Sequence, residues 1–522
     1  MLYRAFATVG GLTMISRLLG FARDILIAAA LGSGVVADAF FVAFRFPNLF
    51  RRLFGEGAFN AAFVPLFARR LEGEGEGEAR RFAEEALSVL AATLIVFSLI
   101  MIVTMPWMML ILAPGFIADP AKYDLAVLLS QIAFPYLLCM SLVALLSGVM
   151  NSLNRFWAAA AAPILLNVIL IAAISLAIWL GFGQRFGAGI ILSVGVAVAG
   201  IAQLAMLWIA VRRAGLKLKL RWPRYTPGVK RLVELGIPGV VAGGITQINI
   251  VVGTVIASLQ AGAVSYLYYA DRLYQLPLGI VGVAIGVVLL PDLARKLRAG
   301  DQKSAMDSQN RSLEFALLLT LPAAVALTVA AEPIVRVLFE RGAFSAIDTD
   351  STAQALAAFA LGLPAFVMIK VFQPAFFARE DTATPMRFAA INMVINVVGS
   401  LTLFYVFQSL GRPPHVGIAL ATSIAGWVNA LMLWGALVRS GDFLSDRRLV
   451  RNLPLIAMSS AAMGAAIWFA VPPLAPYMAS ATALPVQAGA LAVLVALGGI
   501  VFFAIIFATG VFSVRQLARL RG

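Results

Sequence analysis

The stretch from residue 13 to residue 65 constrains this chain most, because it is apolar enough for two membrane spans and yet carries many charges. A charge at the centre of a bilayer costs at least ~2.5–3.5 kcal/mol, so such residues normally face a protein interior or a watery cavity. Two explanations fit this pattern: a set of structural ion pairs, or a cationic site within the membrane. The charged residues are Arg17, Arg23, Asp24, Asp38, Arg45, Arg51, Arg52 and Glu56.

Composition places the whole chain in a membrane. Of its 522 residues 61% are hydrophobic and 12% are charged, and the mean hydropathy is +0.94. The net charge of +15 does not indicate nucleic-acid binding, because most basic residues lie between apolar runs, where they determine topology. The single cysteine, Cys139, and the single histidine, His415, exclude an intramolecular disulfide, a multi-cysteine metal cluster and a histidine-rich metal site. No cofactor is expected.

Apolar windows predict an all-α polytopic membrane protein with about fourteen transmembrane helices. The second predicted span is too long and too charged for one straight helix, and Pro47 together with Gly55 and Gly57 predicts a break or bend there. The predicted spans are 5–31, 36–67, 86–112, 126–150, 157–180, 188–211, 232–258, 264–293, 313–339, 352–378, 386–408, 416–438, 453–471 and 485–511.

The distribution of Lys and Arg predicts the orientation. With both termini in the cytoplasm, 28 of the 40 basic residues fall on the cytoplasmic side, five on the outer side and seven within spans. Positively charged loops are retained in the cytoplasm, so both termini are expected there. The outer five are Lys122, Arg185, Arg336, Arg341 and Arg412.

An internal repeat organises the spans. Residues 199–215 (AGIAQLAMLWIAVRRAG) match residues 425–441 (AGWVNALMLWGALVRSG) at an offset of 226, and residues 64–71 match 290–297 at the same offset. Six spans per unit predict parallel repeats with a site between them near mid-membrane. We therefore expect a six-helix lobe (1–215), a basic cytoplasmic linker (216–231), a second six-helix lobe (232–441) and two additional transmembrane helices (442–522).

The charges predicted to face the cavity have a cationic excess. Six arginines (Arg17, Arg23, Arg45, Arg51, Arg52, Arg272) stand against four acids (Asp24, Asp38, Glu56, Asp271). Guanidinium groups suit phosphate or carboxylate, so the excess predicts an anionic substrate. The adjacent pairs Arg23/Asp24 and Asp271/Arg272 either form local ion pairs or exchange partners between conformations. No GxxxxGK[ST] motif is present, so a P-loop does not supply energy.

Three motifs resemble a known family. SRLLGFARD (16–24), ADAFFVAFRFPNLFRRLFGEGAFNAAFVP (37–65) and YYADRL (268–273) are similar to signatures of the MurJ (MviN) lipid II flippases, within the multidrug/oligosaccharidyl-lipid/polysaccharide exporter superfamily. The resemblance runs over essentially the whole chain. It implies two lobes around a central cavity, a groove for a polyprenyl tail at the last two spans, and required arginines at Arg17, Arg23, Arg51 and Arg272. Asp38, Arg45 and Glu56 match further family positions, whereas Gln275 stands where some relatives have an acid.

The resemblance implies a flippase that moves lipid II, the undecaprenyl-pyrophosphate-linked peptidoglycan precursor, across the bacterial inner membrane by alternating access. Coupling to a monovalent ion and coupling to the membrane potential both stay open, as does the presence of a metal. One alternative is a transporter of another polyprenyl-linked oligosaccharide or an amphipathic compound. The other is a membrane enzyme on lipid phosphates, which needs an acid/base or metal cluster that the sequence does not display.

The charge asymmetry predicts which sites an impermeant thiol reagent reaches in intact cells. Single cysteines at Gln260 and Ala479, on a Cys139→Ala background, should react from outside. Cysteines at Glu76, Arg221 and Gly522 should react only after the cells are permeabilised. Labelling of position 221 from outside would reverse the orientation.

Overall fold

A computed structural model describes residues 2–51 and 58–511, with side chains described for 8–49, 62–237, 247, 249–279, 281–282, 285 and 289–511. These residues form eighteen α-helices and two 3-10 helices, at Pro114–Ala118 and Ala475–Met478. The first nine helices are α1 (Leu2–Leu31), α2 (Val35–Arg51), α3 (Ala58–Gly73), α4 (Glu76–Leu112), α5 (Pro120–Ala133), α6 (Tyr136–Ser152), α7 (Trp157–Trp179), α8 (Phe186–Arg213) and α9 (Pro227–Ser258). The others are α10 (Ala263–Arg298), α11 (Gln302–Val329), α12 (Ala331–Phe339), α13 (Ala346–Ala360), α14 (Leu363–Phe377), α15 (Ala383–Ser409), α16 (Pro414–Arg439), α17 (Arg447–Leu474) and α18 (Leu484–Ala508).

The prediction of an all-helical, multi-span membrane protein is confirmed. Within the described residues, ten helices or helix pairs are long and apolar enough to cross a bilayer: α4, α5–α6, α7, α8, α11, α13–α14, α15, α16, α17 with the following 3-10 turn, and α18. The other four predicted spans coincide with α1, α2–α3, α9 and α10, and their crossing of the membrane stays a prediction. Pro47 lies inside α2, while the predicted break at Gly55 and Gly57 lies outside the described residues.

The helix boundaries recur with the period of the sequence repeat. Helix α4 begins at Glu76 and α11 at Gln302, 226 residues later; α7 and α15 begin at Trp157 and Ala383, also 226 apart. The ends of α8 (Arg213) and α16 (Arg439) are separated by the same distance. The two copies of the sequence repeat therefore begin and end these helices at equivalent positions.

The chain divides into two compact units, Met1–Ser265 and Tyr266–Gly522. In the first unit α1 packs on α7, α7 on α8, α2 on α5 and α8, and α3 on α9. In the second unit α15 packs on α16, and α11 on α14 and α17. Helix α9 belongs to the first unit because it packs on α3, α4 and the 3-10 turn at Pro114–Ala118. The lobe limits at 215 and 232 stay a prediction.

Glycines let α17 and α18 pack closely within the second unit. A Cβ at Gly464 of α17 would lie 2.5 Å from the Val325 Cγ1 atom of α11. A Cβ at Gly498 of α18 would lie 2.8 Å from the Ile467 Cδ1 atom of α17. Small residues at such contacts allow backbones to approach where lipid supplies no hydrophobic driving force.

Candidate functional site

The carboxylate of Asp38 is buried in the first unit and accepts four hydrogen bonds. Asp38 lies one turn into α2 and has no exposed surface. Its Oδ2 atom accepts from the Lys122 Nζ atom at 2.6 Å and the Gly262 amide at 2.9 Å. Its Oδ1 atom accepts from the amide and hydroxyl of Ser265, at 3.0 and 2.6 Å. A buried charge is tolerated when it is paired and hydrogen-bonded, and Asp38 meets both conditions.

Lys122 reaches Asp38 from the start of α5. Its side chain is 7% exposed, and its Nζ atom lies 4.1 Å from the centre of the Phe116 ring. The ammonium is therefore held by a carboxylate and an aromatic face together. The sequence placed Lys122 among the charges of the outer side, and it did not predict that this side chain is buried. The one sequence feature that could have indicated a special role for Lys122 is that few basic residues lie on the predicted outer side.

The turn after α9 is held close to the α1–α2 hairpin and to the 3-10 turn at Pro114–Ala118. Besides the Asp38 bonds, the Gly115 amide donates to the Ser258 Oγ atom at 3.1 Å. A Cβ at Gly115 would lie 2.1 Å from the Ser258 carbonyl oxygen, so only glycine fits this approach. The φ angles of Gly32 and Gly262 are +62° and +77°, a region that glycine enters without strain. Both turns therefore depend on glycine.

Arg45 binds α9 from the same helix as Asp38. Its Nη1 atom donates to the Thr254 Oγ1 atom at 2.6 Å. Asp38 and Arg45 are seven residues apart, which places them on one face of α2. That face meets the end of α9 and the turn after it. Arg52 and Glu56, which the sequence predicts as further cavity charges, lie outside the described residues, as does the side chain of Arg51 at the end of α2.

Arg23 and Asp24 form a buried ion pair at mid-helix in α1. Their exposed fractions are 6% and 2%, and the Arg23 Nε and Nη2 atoms donate to the Asp24 Oδ1 atom at 3.0 and 2.7 Å. The Arg23 Nη1 atom donates to the Asn167 Oδ1 atom of α7 at 3.0 Å, and the Asn167 Nδ2 atom donates to the Ser16 carbonyl at 2.9 Å. This network ties α1 to α7. The local ion pair is thus the arrangement present in this conformation.

Arg17 differs from Arg23, six residues later in the same helix. Its side chain is exposed, and no hydrogen bond or ion pair to it is found among the described residues. An unpaired guanidinium on a helix of apolar neighbours is available to an anion. Of the predicted arginines of α1, Arg17 is therefore the one free to bind a ligand in this conformation.

In the second unit, Asp271 and Arg272 point to different partners. The Arg272 Nη2 atom donates to the Tyr268 hydroxyl at 3.1 Å, and the guanidinium carbon lies 4.7 Å from the centre of that ring. Asp271 accepts a hydrogen bond from the Gln275 Nε2 atom, one turn later. An acid at position 275 would repel Asp271, whereas the amide of Gln275 satisfies it. Gln275 therefore supplies Asp271 with a hydrogen-bond donor from its own helix.

An apolar cavity of about 270 Å³ lies between α11, α17 and α18 in the second unit. Its walls are hydrocarbon over nearly the whole surface, including Pro322, Ala326, Met463, Leu494 and Phe502. A cavity of this character suits an acyl or prenyl chain and not a polar ligand. In the part of the chain that the structure describes, no group of three His, Cys, Asp or Glu residues is placed to hold a metal ion.

Comparison with known proteins identifies the family. The family model described as "Lipid II flippase MurJ" matches residues 27–488. The chain belongs to the MurJ lipid II flippase family. It is 51% identical over 519 residues to the "Probable lipid II flippase MurJ" of Rhizobium meliloti, covering 99% of this chain and 96% of that protein. It is 36% identical over 449 residues to the "Lipid II flippase MurJ" of Burkholderia cenocepacia, covering 85% of each.

Solved structures agree with this membership. A structure described as "Lipid II flippase MurJ, inward closed conformation" matches with a TM-score of 0.77 and 25% identity, covering 95% of this chain and 97% of that one. An inward-facing multidrug transporter of the MATE family in the MOP superfamily matches with a TM-score of 0.63 and 15% identity, covering 83% and 98%. The second likeness concerns the fold alone. The resemblance inferred from the three sequence motifs is confirmed.

Replacing Lys122 tests whether the Asp38 network holds this family member together. Lys122→Met keeps the side-chain length but leaves the Asp38 carboxylate buried without a cation. This should cost about 3–5 kcal/mol. We expect a lower unfolding temperature for the purified protein in detergent, whereas Lys303→Met, at an exposed site on α11, should change little.

A double-mutant cycle completes this test. Asp38→Asn combined with Lys122→Met should lose less stability than the two single variants added together, because neither charge is then left alone. Additive losses, or a Lys122→Met variant as stable as the parent, would contradict the pairing.

Proposed function

We propose that this protein moves lipid II from the cytoplasmic to the outer leaflet of the bacterial inner membrane, for peptidoglycan synthesis. The observation that carries the proposal is 51% identity to the Rhizobium meliloti relative over nearly the entire length of both chains. The protein is a transporter and not an enzyme. The charged helices of the first unit fit this role. Arginines within a membrane-spanning chain are costly, and they are expected where an anion must pass.

The architecture proposed for this transport is fourteen spans in two parallel six-helix repeats plus two C-terminal helices, with both termini in the cytoplasm. The recurrence of helix limits at an offset of 226 supports the duplication. The excess of Lys and Arg on the cytoplasmic side supports the orientation. Parallel repeats are related by an axis along the membrane normal, which suits two lobes that open alternately to each side.

The pyrophosphate of lipid II is proposed to bind Arg17, Arg23, Arg51 and Arg272. A pyrophosphate carries several negative oxygens, and each guanidinium offers a fork of donors to two of them. Arg17 is free to bind from the start, whereas Arg23 must first exchange Asp24 for the ligand. Asp24, Asp38, Arg45, Arg52, Glu56 and Asp271 are proposed as supporting charges.

The polyprenyl tail is proposed to lie in the apolar cavity between α11, α17 and α18. The cavity is lined by apolar side chains, and the two helices outside the duplication form it together with α11. A tail that stays in an apolar groove keeps its hydrophobic contacts while the charged headgroup crosses. The free-energy cost of transport then comes from moving the headgroup alone.

The Asp38 network is proposed as the outer gate. In the proposed orientation, the α1–α2 and α9–α10 turns both lie at the outer side, and Asp38 binds one to the other. Opening must replace the three hydrogen bonds that Gly262 and Ser265 donate to one carboxylate, so the gate requires an energy source. A monovalent ion or the membrane potential is proposed to supply it.

Substitution of the four arginines tests the anion site. Alanine at Arg17, Arg23, Arg51 or Arg272 should abolish rescue of cells depleted of the native flippase, while normal amounts of protein reach the membrane. Lysine should rescue incompletely, because an ammonium cannot bind phosphate through two parallel hydrogen bonds. Arg185→Ala, at an exposed position before α8, is the control and should rescue fully.

The outcome that contradicts the anion site is growth of all four alanine variants at normal expression. In that case the arginines are structural.

A crosslink across the proposed gate tests alternating access. Cysteines at Gly34 and Ala261, both exposed, flank the Asp38 contacts and avoid the positive φ of Gly262. On a Cys139→Ala background, a short bifunctional thiol reagent should join them and stop transport. Singly modified variants should keep transporting. If the doubly linked protein transports at the parent rate, these turns do not separate during the cycle.

A further inference from the structure

The basic segment between α8 and α9 is fixed on the first unit. Its backbone runs without helix from Gly215 to Thr226, alongside the start of α4. The Lys219 amide donates to the Glu84 Oε1 atom at 3.0 Å, and the Arg221 amide donates to the Ser88 Oγ atom at 2.8 Å. The Arg221 guanidinium also bonds the Glu84 carboxylate, which is 1% exposed. The segment therefore presents defined faces.

Its apolar side chains divide between those faces. Leu216 and Leu218 are 1% and 5% exposed and point into the protein. Leu220, Trp222 and Tyr225 are 66%, 83% and 65% exposed. Single exposed apolar residues are ordinary, but three large ones within six residues on a fixed backbone form a patch that needs a covering partner. Trp and Tyr are the side chains enriched where protein meets lipid headgroups.

The charged residues of this segment are all basic. Eight basic side chains lie between positions 212 and 231, all exposed, and the same interval holds no acidic residue. Only the guanidinium of Arg221 is paired with a buried acid among them. These eight are Arg212, Arg213, Lys217, Lys219, Arg221, Arg224, Lys230 and Arg231.

The segment lies close to the headgroup layer. On α8 the exposed apolar residues end at Ile209, and on α9 they begin at Val233. Leu216 lies seven residues after the first and Thr226 seven residues before the second. At a helical rise of about 1.5 Å per residue, the segment therefore begins and ends about 10 Å or less beyond the hydrocarbon. Headgroups occupy roughly 5–7 Å on each side of a bilayer.

We propose that residues 216–225, here called the linker patch, bind the anionic phospholipid headgroups of the leaflet that they face. Trp222, Tyr225 and Leu220 enter the headgroup layer, and the surrounding lysines and arginines bind its phosphates. Each basic residue near an anionic surface strengthens such binding by about fivefold. The proposal uses the cytoplasmic orientation of this segment but not the identity of the transported substrate.

This contact has a mechanical consequence. The linker patch is bonded to α4 and runs directly into α9, whose first turn is capped by Thr226. Thr226 in turn donates to the Glu85 Oε2 atom of α4 at 2.7 Å. Lipid bound at the patch therefore fixes the cytoplasmic ends of α4 and α9 relative to the membrane surface. Anionic lipid thus acts as a ligand of the protein, distinct from its cargo.

The test places a fluorescent thiol probe at Leu220→Cys on a Cys139→Ala background, in the full-length protein in nanodiscs. In discs of phosphatidylcholine with phosphatidylglycerol, we expect loss of quenching by aqueous acrylamide and strong quenching by a nitroxide on the lipid headgroup. In phosphatidylcholine alone, acrylamide quenching should return. A probe at Glu74→Cys, exposed in the α3–α4 turn, should be accessible to acrylamide in both discs.

Two further measurements distinguish anionic phospholipid from lipid II as the cause of the protection. Combining Leu220→Cys with Lys217→Gln, Lys219→Gln and Arg224→Gln should abolish the protection by phosphatidylglycerol, while size-exclusion profiles stay those of the parent. Neutral discs containing a few per cent of lipid II should leave the probe accessible. Equal accessibility in neutral and anionic discs, or protection by lipid II alone, overturns the proposal. Neither of these readouts depends on transport, so their outcome does not test the proposed function.

Discussion

The cost of burying a carboxylate determines how the first unit is held together. Asp38 has no exposed surface, and its two oxygens need donors that the surrounding apolar helices cannot supply. They come instead from a lysine of α5 and from the turn after α9. Since leaving this charge unpaired would cost several kcal/mol, the positions of three chain segments are fixed by one side chain. The Arg23–Asp24–Asn167 network does the same for α1 and α7.

These networks also suit a protein that must change conformation. Hydrophobic contacts within a lipid bilayer give little preference for one helix arrangement over another, whereas charged hydrogen bonds are discrete and can be exchanged. We propose that Arg23 releases Asp24 when another anion takes its place, and that Asp38 releases the α9–α10 turn when other donors do. A pyrophosphate headgroup is an anion of this kind. In this proposal the buried charges link the stability of one state to the arrival of the cargo.

Much of the fold was predictable from sequence, because membrane spans depend on long apolar runs and repeats leave matching residues. The predicted spans at 126–150 and 313–339 are each two helices in succession, interrupted at Pro135 and Ala330, where local geometry decides. Arginines within apolar runs indicated the charged stretch, but the sequence did not indicate which residues bond to these charges. The partners Lys122, Asn167, Thr254 and Ser265 are distant in sequence and belong to no recognisable motif.

The duplication has a structural counterpart. Glu84 accepts from the Lys219 amide, and Asn310, 226 residues after Glu84, accepts from the Asp446 amide at 3.2 Å.

This protein belongs to the lipid II flippases, and its transport of lipid II can be measured in cells. The most direct measurement is the fraction of lipid II accessible at the outer surface of intact cells in which this chain is the sole flippase and can be depleted. On depletion, we expect accessible lipid II to fall and total lipid II to rise, with both restored by the parent chain and neither by Arg17→Ala. An unchanged accessible fraction after complete depletion would contradict the account.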